Sequence, residues 1–386
     1  MKKALVILLL VLTVVLSACA EKKAKPEKVV PTSTSSSTTT TVSKVEPTLT
    51  TKVMLDGLTN PWDIAFSSNG TMFFTQRNGK LNALVGTENR VLIDNPDVKA
   101  DGEGGLLGLA LDKTFNKNRY LYACYNSKTA LDIRVVRFSV SKDVRTVSDP
   151  KAIITGIPSK NSGRHSGCRI RTAQDGTLFI GTGDAANSNN PQNPKSLGGK
   201  ILHVDRDGNG VKGNLTDPFD SRILNYGHRN VQGIALFDKP VDGVYGFSTE
   251  HGPDKDDEIN LITKGNFGWA PIGDYNENVP MTNLKKFPDA ISAIWSSGSP
   301  TLATSGASYI RGSNWKLFDG ALAVATLKAQ ELKIIKFSAD YKIEFDKTFF
   351  NEEFGRIRVA TQGPDGNLYI ATDDSSNGKI IRITPN

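Results

Sequence analysis

Residues 174–184 read QDGTLFIGTGD and residues 198–208 read GGKILHVDRDG. A glycine after aspartate suits a tight turn, an apolar strand follows, and after a loop a Gly-Lys pair leads into a second strand. The same grammar returns as SNGTMFFTQRNGKLNALV at 68–85 and PDGNLYIATDDSSNGKIIRIT at 364–384, with fainter copies at 101–125 and 318–337. From residue 53 onward no apolar spacing of three and four residues is sustained; short alternating or apolar runs bounded by Gly, Asn and Asp take its place. The fold class this implies is all-β. Repeated antiparallel units imply a β-propeller of four-stranded antiparallel blades around a central channel. At about 40 to 60 residues per blade, residues 53–386 make a six-bladed ring, whose closure leaves few free sheet edges. Two packed β-sandwiches are the alternative. A propeller gathers loops remote in sequence at one mouth, so the glycine-flanked loops bearing His165, His228 and His251 are expected to converge there.

The ends of the chain carry different signals. Lys2 and Lys3 precede an apolar run from Ala4 to Val15 and then Leu16-Ser17-Ala18-Cys19. The run is too short to span a bilayer, so residues 1–18 are expected to be an export signal. The ending resembles a bacterial lipobox, which implies cleavage before Cys19 and its lipidation; an ordinary secretory signal is the alternative. Residues 19–52, rich in Ser and Thr, hold too little apolar surface to offset ordering and are expected to form a flexible tether to the membrane. The formal net charge of +7 is mild and spread along the chain, which argues against a nucleic-acid partner. Cys124 and Cys168 are open to pairing in an oxidising compartment or to burial as free thiols. Monomer and homodimer both stay open.

Five segments carry groups suited to chemistry. Lys328 lies in VATLKAQ, and Arg356 and Arg358 in FGRIRVATQ. Alternation puts Arg356 and Arg358 on one strand face, as a fork for carboxylates or merely as a solvated face. Arg229 and Asn230 in NYGHRNVQG can donate to a developing oxyanion, or serve only their own turn. In EHGPDKDDEINLI, residues 250–262, the carboxylates of Asp256, Asp257 and Glu258 and the carbonyls beside Gly252 and Pro253 are hard oxygen donors of the kind calcium favours; a hydrated acidic turn is the plainer reading. His165, in SGRHSGC, has no nucleophile motif around it and suits a general base, though isolated loop histidines are more often structural.

Taken in order, NPWDIAF, DGEGGLLGLALD, RHSGCRIRTAQDGTLFIGTGD, LGGKILHVDRDG, YGHRNVQG, EHGPDKDDEINLI, NFGWAP, Leu327-Lys328 and RIR at 356–358 resemble the soluble pyrroloquinoline-quinone (PQQ) sugar dehydrogenases of the glucose/sorbosone dehydrogenase family. The resemblance covers residues 53–386 and implies a six-bladed propeller that oxidises aldose sugars at C1 to lactones and passes the electrons to an acceptor it does not identify. It implies that Lys328, Arg356 and Arg358 neutralise the cofactor's carboxylates, with Arg229 and Asn230 near its quinone oxygen and Glu103 beside it. It further implies a calcium ion (Ca2+) on the carbonyls of Gly252 and Pro253, His165 as the base, and a second calcium at Glu258 and the main chain near Phe267. Three departures bear on substrate. Arg164 stands where glucose-oxidising members have Asp, Glu103 where many have Gln, and no Trp directly precedes Pro300; the loop between Glu258 and Phe267 is also one residue short. A broad aldose preference follows. The rivals are a non-catalytic tethered binding propeller and a lactone-hydrolysing calcium propeller, neither of which needs the set of cations.

Overall fold

The computed structural model describes residues 45–386; the expected signal, Cys19 and the tether up to residue 44 lie outside the described residues. Six small sheets follow one another along the chain. The first blade is built from Pro61–Phe66, Met72–Gln76, Lys80–Val85 and Glu88–Asp94. The second holds Leu106–Leu111 and three further strands ending at Ile157, and the third Gly167–Thr172, Leu178–Thr182, Lys200–Val204 and Ile223–Tyr226. The fourth begins with Val231–Val241 and Val244–Glu250, the fifth with Thr304–Tyr309 and Leu322–Thr326, the sixth with Ile357–Gln362 and Leu368–Thr372. Each first strand touches the first strand of the next blade, and that of the sixth touches that of the first, so the ring closes. This is the six-bladed all-β propeller implied by the repeats. The third blade adds a short fifth strand, Gly265–Asn266, parallel to its outer strand.

Alternating strand residues bury both blade faces. Phe73, Leu81, Leu109 and Leu121 fill the gap between the first two blades, and Ile170, Ile180, Leu202 and Cys168 that on the other side of the second. Cys124 of the second blade and Cys168 of the third are disulfide-bonded, with Cα atoms 5.8 Å apart and both side chains fully buried. Of the two states open from sequence, the structure has the paired one.

The tether boundary at residue 52 needs correction. Leu49–Leu58 is the outermost strand of the sixth blade, paired antiparallel with Gly378–Pro385 from Leu49↔Pro385 to Leu58↔Gly378. Residues 50–52 have polar side chains, but backbone hydrogen bonds to the last strand give them order that composition does not signal.

One feature aims side chains at a single mouth. In all six blades the ladder between first and second strands slips near the start of the first, as at Gly167/Arg169, Val231/Gly233 and Ile357/Val359. Such bulges bend the strand and redirect its leading residues.

Candidate active site

His165 lies in the loop before Gly167–Thr172 and has φ of 55°. Its imidazole is buried, with Nδ1 2.9 Å from Asp184 Oδ1. Asp184 also accepts from Ala186 N at 2.8 Å, Trp269 Nε1 at 2.8 Å and the Tyr275 hydroxyl at 2.6 Å. A carboxylate only accepts, so Nδ1 carries the proton and Nε2 the lone pair. The other side agrees: Arg164 Nε donates to Nε2 at 3.3 Å. The Tyr275 hydroxyl is 2.9 Å from the same Nδ1; burial and the Asp184 charge push its pKa up, so it stays a donor. Gly183, next to Asp184, is where this loop meets the His165 loop: a Cβ there would lie 1.9 Å from the His165 carbonyl oxygen.

The cations come from four blades. Arg358 pairs with Asp373 and donates to Gln232 Oε1 at 3.3 Å. Arg356, just ahead of the strand that begins at Ile357, reaches the same Asp373 at 3.7 Å. Burial alone would push Asp373 up, but Arg358 and the Asn60 amide hold it well below the usual carboxylate range. Arg77, from the end of the first blade's second strand, lies close enough to both arginines and to Glu103 to feel their charges; burial is the main cause of its lowered pKa. Asn230 donates to Glu103 Oε2 at 2.9 Å and accepts from Gly167 N at 3.1 Å. Arg229 gives Nε and Nη2 to Glu277 Oε1, both at 2.7 Å, and Nη1 to the His251 carbonyl at 3.1 Å. His251 reports the convergence: burial first, and then the charges of Arg229, Arg358, His165 and Arg356, push its pKa well down, leaving a neutral imidazole. Lys328 follows the second strand of the fifth blade at the same end, but its side chain is exposed and makes no hydrogen bond or ion pair among the described residues.

The acidic loop divides its work. Asp257 is consumed by Gly252 N at 2.9 Å, Thr301 Oγ1 at 2.7 Å, Leu302 N at 2.6 Å and Ala303 N at 2.7 Å. It shapes the turn and frees other oxygens: no hydrogen bond from the described residues reaches the carbonyls of Gly252 or Pro253. Glu258 shares Asn260 Nδ2 with Glu250, at 3.1 and 2.9 Å. Burial, then the Glu250 charge, pushes Glu258 up to about 8, and Asn260 Oδ1 is buried without a partner. Phe267 stacks at 4.6 Å on His228, whose Nδ1 lies 2.8 Å from Glu250. Among the described residues no three His, Cys, Asp or Glu side chains form a metal cluster, so an ion at Gly252 and Pro253 would rest on carbonyls and on whatever else binds there.

These donors fit a polyanionic planar cofactor. His251 Nε2, Arg358 Nε and Arg77 Nε are buried without partners among the described residues, in a group of guanidiniums with Asp373 and Glu103 as near counter-charges. Buried polar groups of this kind are costly unless something pairs with them. Of the groups named from sequence, the structure unites His165, Arg229, Asn230, Glu103, Arg356 and Arg358; Lys328 stays at the rim, and Glu258 and Phe267 form a separate centre behind His228. Asp184, Tyr275, Glu277, Arg77 and Asp373 were not foreseen. His203 stacks on Phe179 away from the site.

A family model described as glucose/sorbosone dehydrogenase matches residues 58–382. The aldose sugar dehydrogenase YliI of Escherichia coli K12 is 29% identical over 88% of this chain and 93% of its own. Among solved structures, the PQQ-bound aldose sugar dehydrogenase of Streptomyces coelicolor aligns with a TM-score of 0.73 at 26% identity, covering 88% of this chain and all of that one. The soluble aldose sugar dehydrogenase of Escherichia coli in its apo form aligns with a TM-score of 0.78 at 28% identity, over 88% of this chain and 100% of the other.

Proposed function

The chain belongs to the glucose/sorbosone dehydrogenase family, and on that premise we propose that it oxidises aldose sugars at C1 to lactones with PQQ and calcium. One observation carries the reading: an imidazole, oriented by a buried carboxylate, lies at a mouth shared with guanidiniums drawn from separate blades. When bound, PQQ supplies the acceptor for the two electrons that leave C1 as hydride. Arg356 and Arg358 would hold its carboxylates, with Lys328 turning in from the rim, while Arg229 and Asn230 present N–H donors where oxygen gains charge. The carbonyls of Gly252 and Pro253 would hold a calcium ion as Lewis acid; Glu258, with the main chain at Phe267, would hold a second, structural one.

The protein's own step is proton removal. Nε2 of His165 takes the proton of the C1 hydroxyl, and Asp184 stabilises the imidazolium that forms. Loss of that proton and of hydride from C1 leaves the carbonyl of the lactone.

The test is reconstitution. With PQQ, calcium, an aldose and an artificial electron acceptor the protein turns over, and His165→Ala loses at least about a hundredfold in kcat while an absorbance titration still shows cofactor uptake. Full activity in that variant removes His165 from the base role. No uptake in the wild type removes the dehydrogenase reading in favour of a binding module. No described helix is long and apolar enough to cross a membrane. Export and lipid anchoring at Cys19 belong to the proposal and are checked by labelling cells with a fatty acid, with Cys19→Ala as control.

A further inference from the structure

An approaching molecule meets four side chains in order of exposure: Arg164 at 45%, Glu277 at 17%, Arg229 at 5% and His165 at 2%. The outer two are paired with each other, Arg164 Nη2 to Glu277 Oε2. Arg164 is also the side chain that reaches the imidazole's free nitrogen, through Nε, and its guanidinium lies over the Tyr275 ring at 5.6 Å. Glu277 is held at the other end by Nε and Nη2 of Arg229. A hydroxyl delivered to Nε2 would therefore lie alongside Arg164, and the hydroxyl one carbon further on would come within reach of the paired Arg164 and Glu277. Arg164 has N–H groups to give, and Glu277, with three hydrogen bonds on two oxygens, retains acceptor capacity.

Charge separates the ligand classes. Arg164 and Glu277 neutralise one another at the entrance, and Asp254 and Asp256 line the open cavity of about 820 Å³ that Glu277 also borders. A sugar carboxylate brought there would face two carboxylates against one lysine, Lys255, which lines the same cavity. A neutral polyol has only hydrogen bonds to exchange.

We propose that Arg164 and Glu277 are the specificity-determining pair of this site, reading the ring hydroxyl next to the reacting carbon and selecting neutral aldoses over 2-deoxy sugars and uronates. This rests on the dehydrogenase reading above. The pair acts on KM more than on the chemical step, because the groups they bind change little in charge as C1 is oxidised.

The experiment uses the reconstituted holoprotein with glucose, 2-deoxyglucose and glucuronate, in the wild type, Arg164→Ala, Arg164→Lys and Glu277→Gln, with cofactor occupancy read by absorbance. In the wild type kcat/KM for glucose exceeds that for 2-deoxyglucose by about tenfold or more. Arg164→Ala and Glu277→Gln bring that ratio towards one, mainly through KM for glucose. Arg164→Lys restores part of it, and Glu277→Gln raises relative activity on glucuronate. The proposal is overturned if both variants keep the wild-type ratio, or if they lose activity equally on both neutral sugars with the cofactor bound. A wild type that takes up PQQ yet oxidises no aldose removes the underlying dehydrogenase reading, and this inference with it.

Discussion

Asp184 is where the chemistry of the site is most sensitive to a single atom. Its two oxygens accept from His165 Nδ1, Ala186 N, Trp269 Nε1 and the Tyr275 hydroxyl, so every neighbour is a donor. Asparagine keeps the shape but turns one oxygen into a second donor. If the amide nitrogen faces Nδ1, the imidazole must accept there and carry its proton on Nε2, where the base needs a lone pair. Asp184→Asn should therefore lower kcat by about 10² to 10⁴-fold, with cofactor affinity changing far less because Asp184 touches none of the guanidiniums. Parallel kcat measurements and absorbance titrations check this. Equal losses in both would mean that Asp184 holds up the loop and does not set the tautomer.

At the scale of the strand, the second strands of five of the six blades end in a shared way. Thr75 is followed two residues on by Arg77, Thr182 by Asp184, Thr249 by His251 and Thr326 by Lys328; Thr372 is followed at once by Asp373. The threonines anchor the ends: Thr75 Oγ1 donates to Leu107 O and Thr249 Oγ1 to Ser305 O, each on the next blade's first strand and each at 2.6 Å. The ionisable residue just beyond then stands at the mouth. This register is in the sequence, so Arg77 and Asp184 were within reach of the repeat that revealed the blades. The cations and His165 were legible because their loops resemble known ones. Tyr275 and Glu277 had no such signal: they lie in a long irregular segment between strands, where neither period nor turn chemistry fixes position. Cys168 is three residues beyond His165, and its bridge to Cys124 closes a loop of 44 residues. Replacing both cysteines by alanine should cost about 3 to 4 kcal/mol of unfolding free energy, an upper range because strain and residual denatured structure reduce it. Denaturant unfolding of the variant, beside wild type with and without reductant, measures that loss.

For the whole ring, closure depends on a strand whose first four residues composition alone assigns to the tether. Leu49–Leu58 covers the free edge of Gly378–Pro385, and Leu58 is buried with Ile380 against Ile64 and Phe74 of the first blade. Further ties run beside it: Asn386 N donates to Thr48 O, Leu317 N to Val45 O, and Lys347 pairs with Glu46 at 2.6 Å. The sixth blade so completed carries Arg358 on its first strand, Arg356 just before that strand and Asp373 just after the second, and its first strand packs against that of the first blade. Losing the outer strand leaves Gly378–Pro385 as an open edge and loosens the blade that supplies the arginine fork. A protein begun at Val45 should match the full chain in thermal midpoint and PQQ affinity. One begun at Thr59 should melt several degrees lower and bind PQQ at least about tenfold more weakly, since cations in a frayed blade must be ordered at the cofactor's expense. Calorimetry and cofactor titration on the pair decide the matter. Should the shorter protein keep both properties, the ring is closed by packing between blades, and the strand from Leu49 to Leu58 only decorates its rim.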